Sequence, residues 1–229
     1  MSLAAAQFVA GAVRDLPNLN LCLPVGKTPK GMYQELIRLH RSERLDFSRV
    51  KMFQLDEYVD LRADHPHRFK SLLWREFFNH INVRRANIHL IDENFEATIR
   101  AAGSLDLAVL GIGVNGHLGF NEPGSALDSR TRIVQLADAT IETMQQMFTS
   151  DEMPRQAITI GLGTIMDSRR VLLLASGTSK AAVLGQALNG PISTDMPASV
   201  LQKHANVTVI ADSDALQTYK AVGSERIPS

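Results

Sequence analysis

A repeated alternation constrains the fold most: short apolar runs take turns with longer stretches whose apolar residues recur at helical spacing. The runs are "LNLCLPV" (19 to 25), "VKMFQL" (50 to 55), "LDLAVLGIG" (105 to 113), "AITIGLG" (157 to 163), "RVLLLAS" (170 to 176) and "NVTVIAD" (206 to 212). They are apolar almost throughout, the pattern of strands buried on both faces. Between them lie "PKGMYQELIRLHRSE", "HRFKSLLWREFFNHI", "TSKAAVLGQALNG" and "PASVLQKHA", with apolar positions at helical spacing and a glycine closing the third. Strand–helix alternation predicts an α/β fold, a doubly wound, mostly parallel, Rossmann-like sheet with helices on both faces. No Gly/Ser-rich linker, repeat or low-complexity tract interrupts the 229 residues, so 1–229 reads as a single domain.

Charge and cysteine content exclude several classes of function. Lys plus Arg and Asp plus Glu both total 24, so no global positive field exists to hold nucleic acid or an anionic membrane. An anionic ligand must then be held locally. The N-terminal "MSLAAAQFVAGAVRDL" lacks a basic leader, carries Gln7 within it and ends in Arg14 and Asp15, which predicts an amphipathic helix and a cytoplasmic protein rather than a secreted one. Cys22, the single cysteine, lies in an apolar run and is expected to be a buried small side chain.

In doubly wound sheets, ligands bind beyond the carboxyl ends of the strands, which here are followed by "VGKTP", "LDEY", "GIGVNGHLGFNEPG" and "SGTSKA". Gly26-Lys27-Thr28 is not the end of a nucleotide P-loop, because Leu21 stands where that motif needs its first glycine. Pro29 suits the first turn of a helix, whose free amides would face an anion, so a different phosphate cradle is expected here. "GIGVNG" satisfies the dinucleotide glycine pattern, and "TRIVQLAD" would supply a second strand ending in Asp138. The intervening "HLGFNEPGSALDS" has Pro123-Gly124 at its middle and no apolar helical stripe, so the helix that motif requires is missing. Taken singly, the other features do not decide: Asp56-Glu57 reads first as a solvated turn or cap, His117 with Glu122 equally as a structural pair, and Lys180 first as a solvated surface residue. No second histidine has ligand-like spacing to His117, so no metal site is expected. What the four segments share is a place at predicted strand ends.

Those segments resemble the glucosamine-6-phosphate deaminase family, also called glucosamine- or galactosamine-6-phosphate isomerases. The resemblance rests on "GKTPKGMY", "LDEYVDL" with "DHPHRF", "GIGVNGHLGFNEPG", "SRTRIV", "AITIGLGTI", "SGTSKA" and "PASVLQKH", spread over nearly the whole chain. Its most specific element is "NGHLGFNEPG", since the related 6-phosphogluconolactonases share the fold but lack the Asn-Glu-Pro segment. The resemblance implies a hydrolase/isomerase that converts a 2-amino-2-deoxy-hexose 6-phosphate and water into a ketohexose 6-phosphate and ammonia, without metal or organic cofactor. By the same likeness, His117, positioned by Asn115 and Glu122, opens the sugar ring, and Asp56 moves the proton between C2 and C1. Gly26, Lys27, Thr28 and Lys180 hold the phosphate. The only implied partner is that small molecule, the protein being a monomer or a homo-oligomer.

The chain departs from the family pattern at several places. Asn115 stands where many members have aspartate, although shorter bacterial members carry asparagine. The family's phosphate-binding arginine aligns near Gln146, and Lys27, where relatives usually have a small residue, is the expected replacement charge. The segment "IDENFEATIRAAG" is about a dozen residues shorter than in relatives, before its helix. Val134 follows Arg132-Ile133 where allosteric members have further basic residues, and the chain stops at Ser229, so activation by N-acetylglucosamine 6-phosphate is not expected and Arg132 is expected to be structural. Two alternatives compete: a lactone hydrolase on the same fold, in which Asp56 and Glu122 have no evident work, and a non-catalytic sugar-phosphate sensor.

Overall fold

The computed structural model describes residues 1–144, 148, 152–217 and 219. Six parallel strands form the central sheet in the order β4-β2-β1-β5-β8-β9: β1 (Asn20–Leu23), β2 (Lys51–Gln54), β4 (Ile88–His89), β5 (Leu107–Gly111), β8 (Val171–Ala175) and β9 (Val207–Ala211). Strand β1 lies between β2 and β5, and the chain winds outward from it in both directions. The winding therefore reverses between β1 and β5, the place where such sheets open a crevice.

Alternation along each strand fills two cores. Leu21 and Leu23 of β1, Leu107 and Val109 of β5, and Leu172 and Leu174 of β8 pack on one face with helices α1 (Ser2–Asp15), α2 (Lys27–Glu43) and α3 (Phe69–Glu76). Cys22, Ala108, Leu110, Val171 and Leu173 face the other side, against α4 (Phe95–Ala102), α6 (Leu162–Met166) and α7 (Ala181–Asn189). Burial on both faces is why these strands read as continuous apolar runs. In α2 the buried Pro29, Met32, Tyr33, Leu36 and Leu39 form one helical stripe, which ends at Arg44 in the left-handed conformation. Cys22 is fully buried.

One expected strand belongs elsewhere. In "AITIGLG" only the first part is extended, as β7 (Gln156–Thr159), and the rest leads into α6. Strand β7 runs antiparallel to β3 (Asp56–Tyr58) and to β6 (Arg132–Gln135) in a separate three-stranded sheet. Leu55 causes the change of partner: its amide donates to Leu23 O across the main sheet at 3.1 Å, while its carbonyl accepts from Ile160 N at 3.1 Å. The chain thus leaves β2 and enters β3 within one residue, and Asp56 sits at the junction.

"PASVLQKHA" forms a 3-10 helix over Pro197–Lys203 rather than an α-helix. The short "IDENFEATIRAAG" segment still builds α4, which closes on Gly103 at φ 93°. The strand expected in "TRIVQLAD" is present as β6, followed by α5 (Asp138–Met144), but no helix occupies 112–131, so the dinucleotide motif lacks its helix. Gln146 lies outside the described residues. Among the described residues no helix is long and apolar enough to cross a membrane.

Candidate active site

Strands β2, β1, β5 and β8 are consecutive in the sheet, and after them come Asp56, the Gly26–Thr28 turn, the 112–125 loop and the Gly177–Lys180 turn, respectively. Parallel neighbours about 4.8 Å apart bring these four chain segments out along one edge within roughly 15 Å. All eight residues singled out from sequence lie on these segments.

The 112–125 loop is folded onto itself before it touches anything else. Gly113 N donates to His117 O at 2.9 Å and Gly116 N to Gly113 O at 3.1 Å, closing a tight turn that returns His117 over the end of β5. The imidazole then lies flat on Gly113, where a Cβ would come within 2.3 Å of the ring. Gly113→Ala should therefore push the ring out of place and lower turnover by about 10²-fold, with the circular dichroism spectrum unchanged. Wild-type turnover in that variant would show that the ring position is not critical.

Glu122 organises the cluster. Its Oε2 accepts from His117 Nδ1 at 3.2 Å and from Asn115 Nδ2 at 2.7 Å, and its Oε1 accepts from the Thr140 hydroxyl on α5. Burial alone would raise this carboxyl, but His117, by hydrogen bond and charge, together with Thr140 and Asn115 outweighs it and brings the pKa down to about 2. Because the carboxylate faces Nδ1, the Nε2 edge of His117 is left for a ligand. Asn115 bonds on both sides of the histidine–glutamate pair: its Oδ1 accepts from His117 N at 3.3 Å while its amide holds Glu122. It positions the histidine through the backbone and the glutamate.

Asp56 sits beneath this loop, 6% exposed and raised well above the usual carboxylate range by burial first and by neighbouring Glu57 second. Gly119, two residues past His117 and at φ 59°, makes the close approach possible: a Cβ there would lie 2.7 Å from Thr159 Oγ1 and 3.4 Å from Asp56 Oδ2. Asn121, fully buried, locks the loop to this floor by donating to Ile160 O and Leu118 O at 2.8 Å each.

The neighbouring strand ends carry helix starts and cations outside ion pairs. Gly26 is the N-cap of α2, with no side-chain cap and no acidic residue in the first turn, so the amides of Lys27 and Thr28 face outward. Lys180 closes the 3-10 turn Thr178–Lys180 ahead of α7, half-buried, its pKa lowered by desolvation. Among the described residues neither Lys27 nor Lys180 is in an ion pair. Asp212, at the end of β9, accepts Gly177 N and the Ser176 hydroxyl and so fixes the turn that carries Lys180. Arg132 bonds to Asn121 Oδ1 at 2.8 Å and Ser125 Oγ at 3.2 Å.

Sequence reasoning missed Thr140, Thr159, Asn121 and Asp212 as supports. Asn121 and Thr159 lie inside quoted motifs and Asp212 ends a quoted strand run, but their contacts, like that of Thr140, arise from proximity that only the fold creates. No group of three or more His, Cys, Asp or Glu is placed to hold a metal ion among the described residues.

The chain belongs to the family described as glucosamine-6-phosphate isomerases/6-phosphogluconolactonase, whose model matches residues 2–210. It is 42% identical over 226 residues to a glucosamine-6-phosphate deaminase of Thermoanaerobacter pseudethanolicus, covering 94% of this chain and 89% of the relative. Identity to the enzyme of that name from Alkaliphilus metalliredigens is 44% over 226 residues, covering 94% and 93%. Among solved structures, a monomeric glucosamine-6-phosphate deaminase superimposes with a TM-score of 0.88 at 39% identity, covering 95% of each chain. A 6-phosphogluconolactonase from Trypanosoma brucei shares the fold, with a TM-score of 0.72 at 17% identity over 95% of each chain.

Proposed function

We propose that this protein is an amino sugar phosphate deaminase that converts glucosamine 6-phosphate and water into a ketohexose 6-phosphate and ammonia. One observation carries the reading: a buried carboxyl with raised proton affinity, Asp56, lies under the same loop that holds the His117–Glu122 pair. A lactone hydrolase needs one base, whereas transfer of a proton between adjacent carbons needs a second. The names of the relatives support the same choice.

The steps follow from the groups. His117, through its Nε2 edge, relays the proton from the anomeric hydroxyl to the ring oxygen, and the pyranose opens to the aldehyde. Asp56 takes the proton from C2 while the C1 carbonyl oxygen takes one from the substrate's own ammonium, leaving an enolamine; Asp56 then returns its proton to C1, so that C2 becomes an iminium carbon. Water adds there and ammonia leaves. The chemistry is thus isomerisation with deamination, and hydrolysis enters only where water replaces the amine. The phosphate rests on the amides of the Gly26–Thr28 turn and on Lys27 and Lys180, as charge-assisted hydrogen bonds. We place the enzyme in the cytoplasm, acting as a monomer like the relative described as monomeric.

Ammonia release from glucosamine 6-phosphate, measured beside galactosamine 6-phosphate and 6-phosphogluconolactone, tests the assignment; lactone hydrolysis without ammonia release would overturn it. Lys27→Ala and Lys180→Ala should each raise KM roughly tenfold or more, the worth of a hydrogen bond to a charged group. Both should also flatten the dependence of KM on ionic strength. Equal use of free glucosamine and its phosphate would remove the cradle from the mechanism.

A further inference from the structure

Asp56 is followed in β3 by a second carboxylate, Glu57, which the reaction above does not use. Glu57 is 3% exposed and is more completely bound than any carboxylate in the catalytic loop. Its oxygens accept from Tyr58 N, Phe69 N and Lys70 N at 2.9 Å each and from Gln54 Nε2 at 3.2 Å, with Arg68 Nε 3.5 Å away as an ion pair. Phe69 and Lys70 are the first residues of α3, so the carboxylate sits on the amides that open that helix. Gln54 is fixed in this orientation because its Oε1 accepts Ile91 N at 3.4 Å. Every partner is a donor, and a proton on either oxygen would meet no acceptor. A carboxylate bound by donors alone thus stands one residue from a second buried carboxyl.

We propose that Glu57 is a positioning residue for the reaction: its charge, anchored on α3 and Arg68, keeps Asp56 basic enough to take the proton from C2. The inference rests on the assignment of Asp56 as the C2/C1 proton carrier. The other titratable groups that act on Asp56 are uncharged at neutral pH: the Cys22 thiol of β1, the Tyr33 hydroxyl of α2 and the Tyr58 hydroxyl of β3 are all raised, in each case first by burial. From the loop above, His117 is engaged by Glu122. Glu57 is therefore the charged neighbour whose removal Asp56 should feel, and its charge is the second cause, after burial, of the raised Asp56 carboxyl. A like charge close by disfavours the ionised form of a carboxyl.

The test is the pH dependence of kcat for two variants whose expected shifts are opposite. Glu57→Gln removes the charge while keeping the shape, so Asp56 ionises more easily and the acidic limb should move down by about one pH unit. Arg68→Met removes the cation that offsets Glu57, so the limb should move up. Helicity by circular dichroism is followed for both, and if Glu57→Gln does not fold, Arg68→Met still decides the matter. A limb that stays in place, or moves the same way in both variants, would overturn the proposal. Asp56→Asn separates the two levels: near-normal turnover there removes the base assignment itself, whereas an inactive Asp56→Asn with unmoved limbs removes only Glu57.

Discussion

Asp56→Asn is expected to lower turnover on glucosamine 6-phosphate by roughly 10²- to 10⁴-fold, the usual worth of a positioned acid–base group, while the folded structure becomes more stable at neutral pH. The two effects share one cause. Burial and Glu57 raise the Asp56 carboxyl above its ordinary value of 3.8, so the folded state holds that proton more tightly than the unfolded chain does. Stability from this group is therefore full below the unfolded value and is lost as pH rises through the folded one. Above the unfolded value the native protein carries the cost of either holding that proton or ionising in a nearly dry site, and an asparagine of the same shape carries neither. Solvent deuterium should enter C1 of the ketose with the wild-type enzyme. A variant that keeps near-normal turnover, or a product without label at C1, would end the assignment.

Glu122→Gln is expected to lower turnover by roughly 10²-fold, and to do so more severely than Asn115→Asp. Glu122 is the group that meets the His117 ring, and glutamine in its place cannot offer a carboxylate to the imidazolium that forms when the anomeric hydroxyl gives up its proton and that lasts until the ring oxygen takes it. Asn115 reaches the ring only through Glu122 and the His117 amide. An aspartate at 115 would put a second carboxyl where the Asn115 amide now lies 2.7 Å from Glu122 Oε2, and two such groups share a proton. The acidic limb of the pH–rate profile should then move upward in Asn115→Asp. The wild-type Glu122 also links pH to stability. Its pKa falls from the ordinary 4.5 to about 2 on folding, so its contribution is complete above the unfolded value and disappears as pH drops between the two. Acid unfolding of Glu122→Gln should accordingly be flatter across that interval. Single-turnover rates for both variants across pH check the order; full activity in Glu122→Gln with an unmoved limb in Asn115→Asp would take the loop out of the mechanism.

Much of the architecture was legible because burial on two faces writes itself into the chain. Leu21, Cys22 and Leu23 must all be apolar when one face of β1 packs on α2 and the other on the second helical layer, and that produces a continuous run. The helical stripe of α2 follows from the same pattern, whereas the strand order, with its reversal between β1 and β5, does not. The 112–125 loop was legible through its resemblance to the family's motif, and the structure adds why one of its residues is fixed: at Gly113 only a hydrogen fits under the His117 ring. Strand β7 was misplaced because an apolar run states that it is buried but not which sheet it joins, and the choice was made by Leu55, which hands the chain from β1 to the β7 side. Thr140 on Glu122, Thr159 beneath Gly119 and the α3 amides on Glu57 are contacts between residues far apart in the chain. Sequence by itself determined which chemical groups are present and that they stand at strand ends. The tertiary structure alone decided which carboxyl is dry, which is bound by donors and which meets the histidine, because proton affinity is set by surroundings assembled from distant segments.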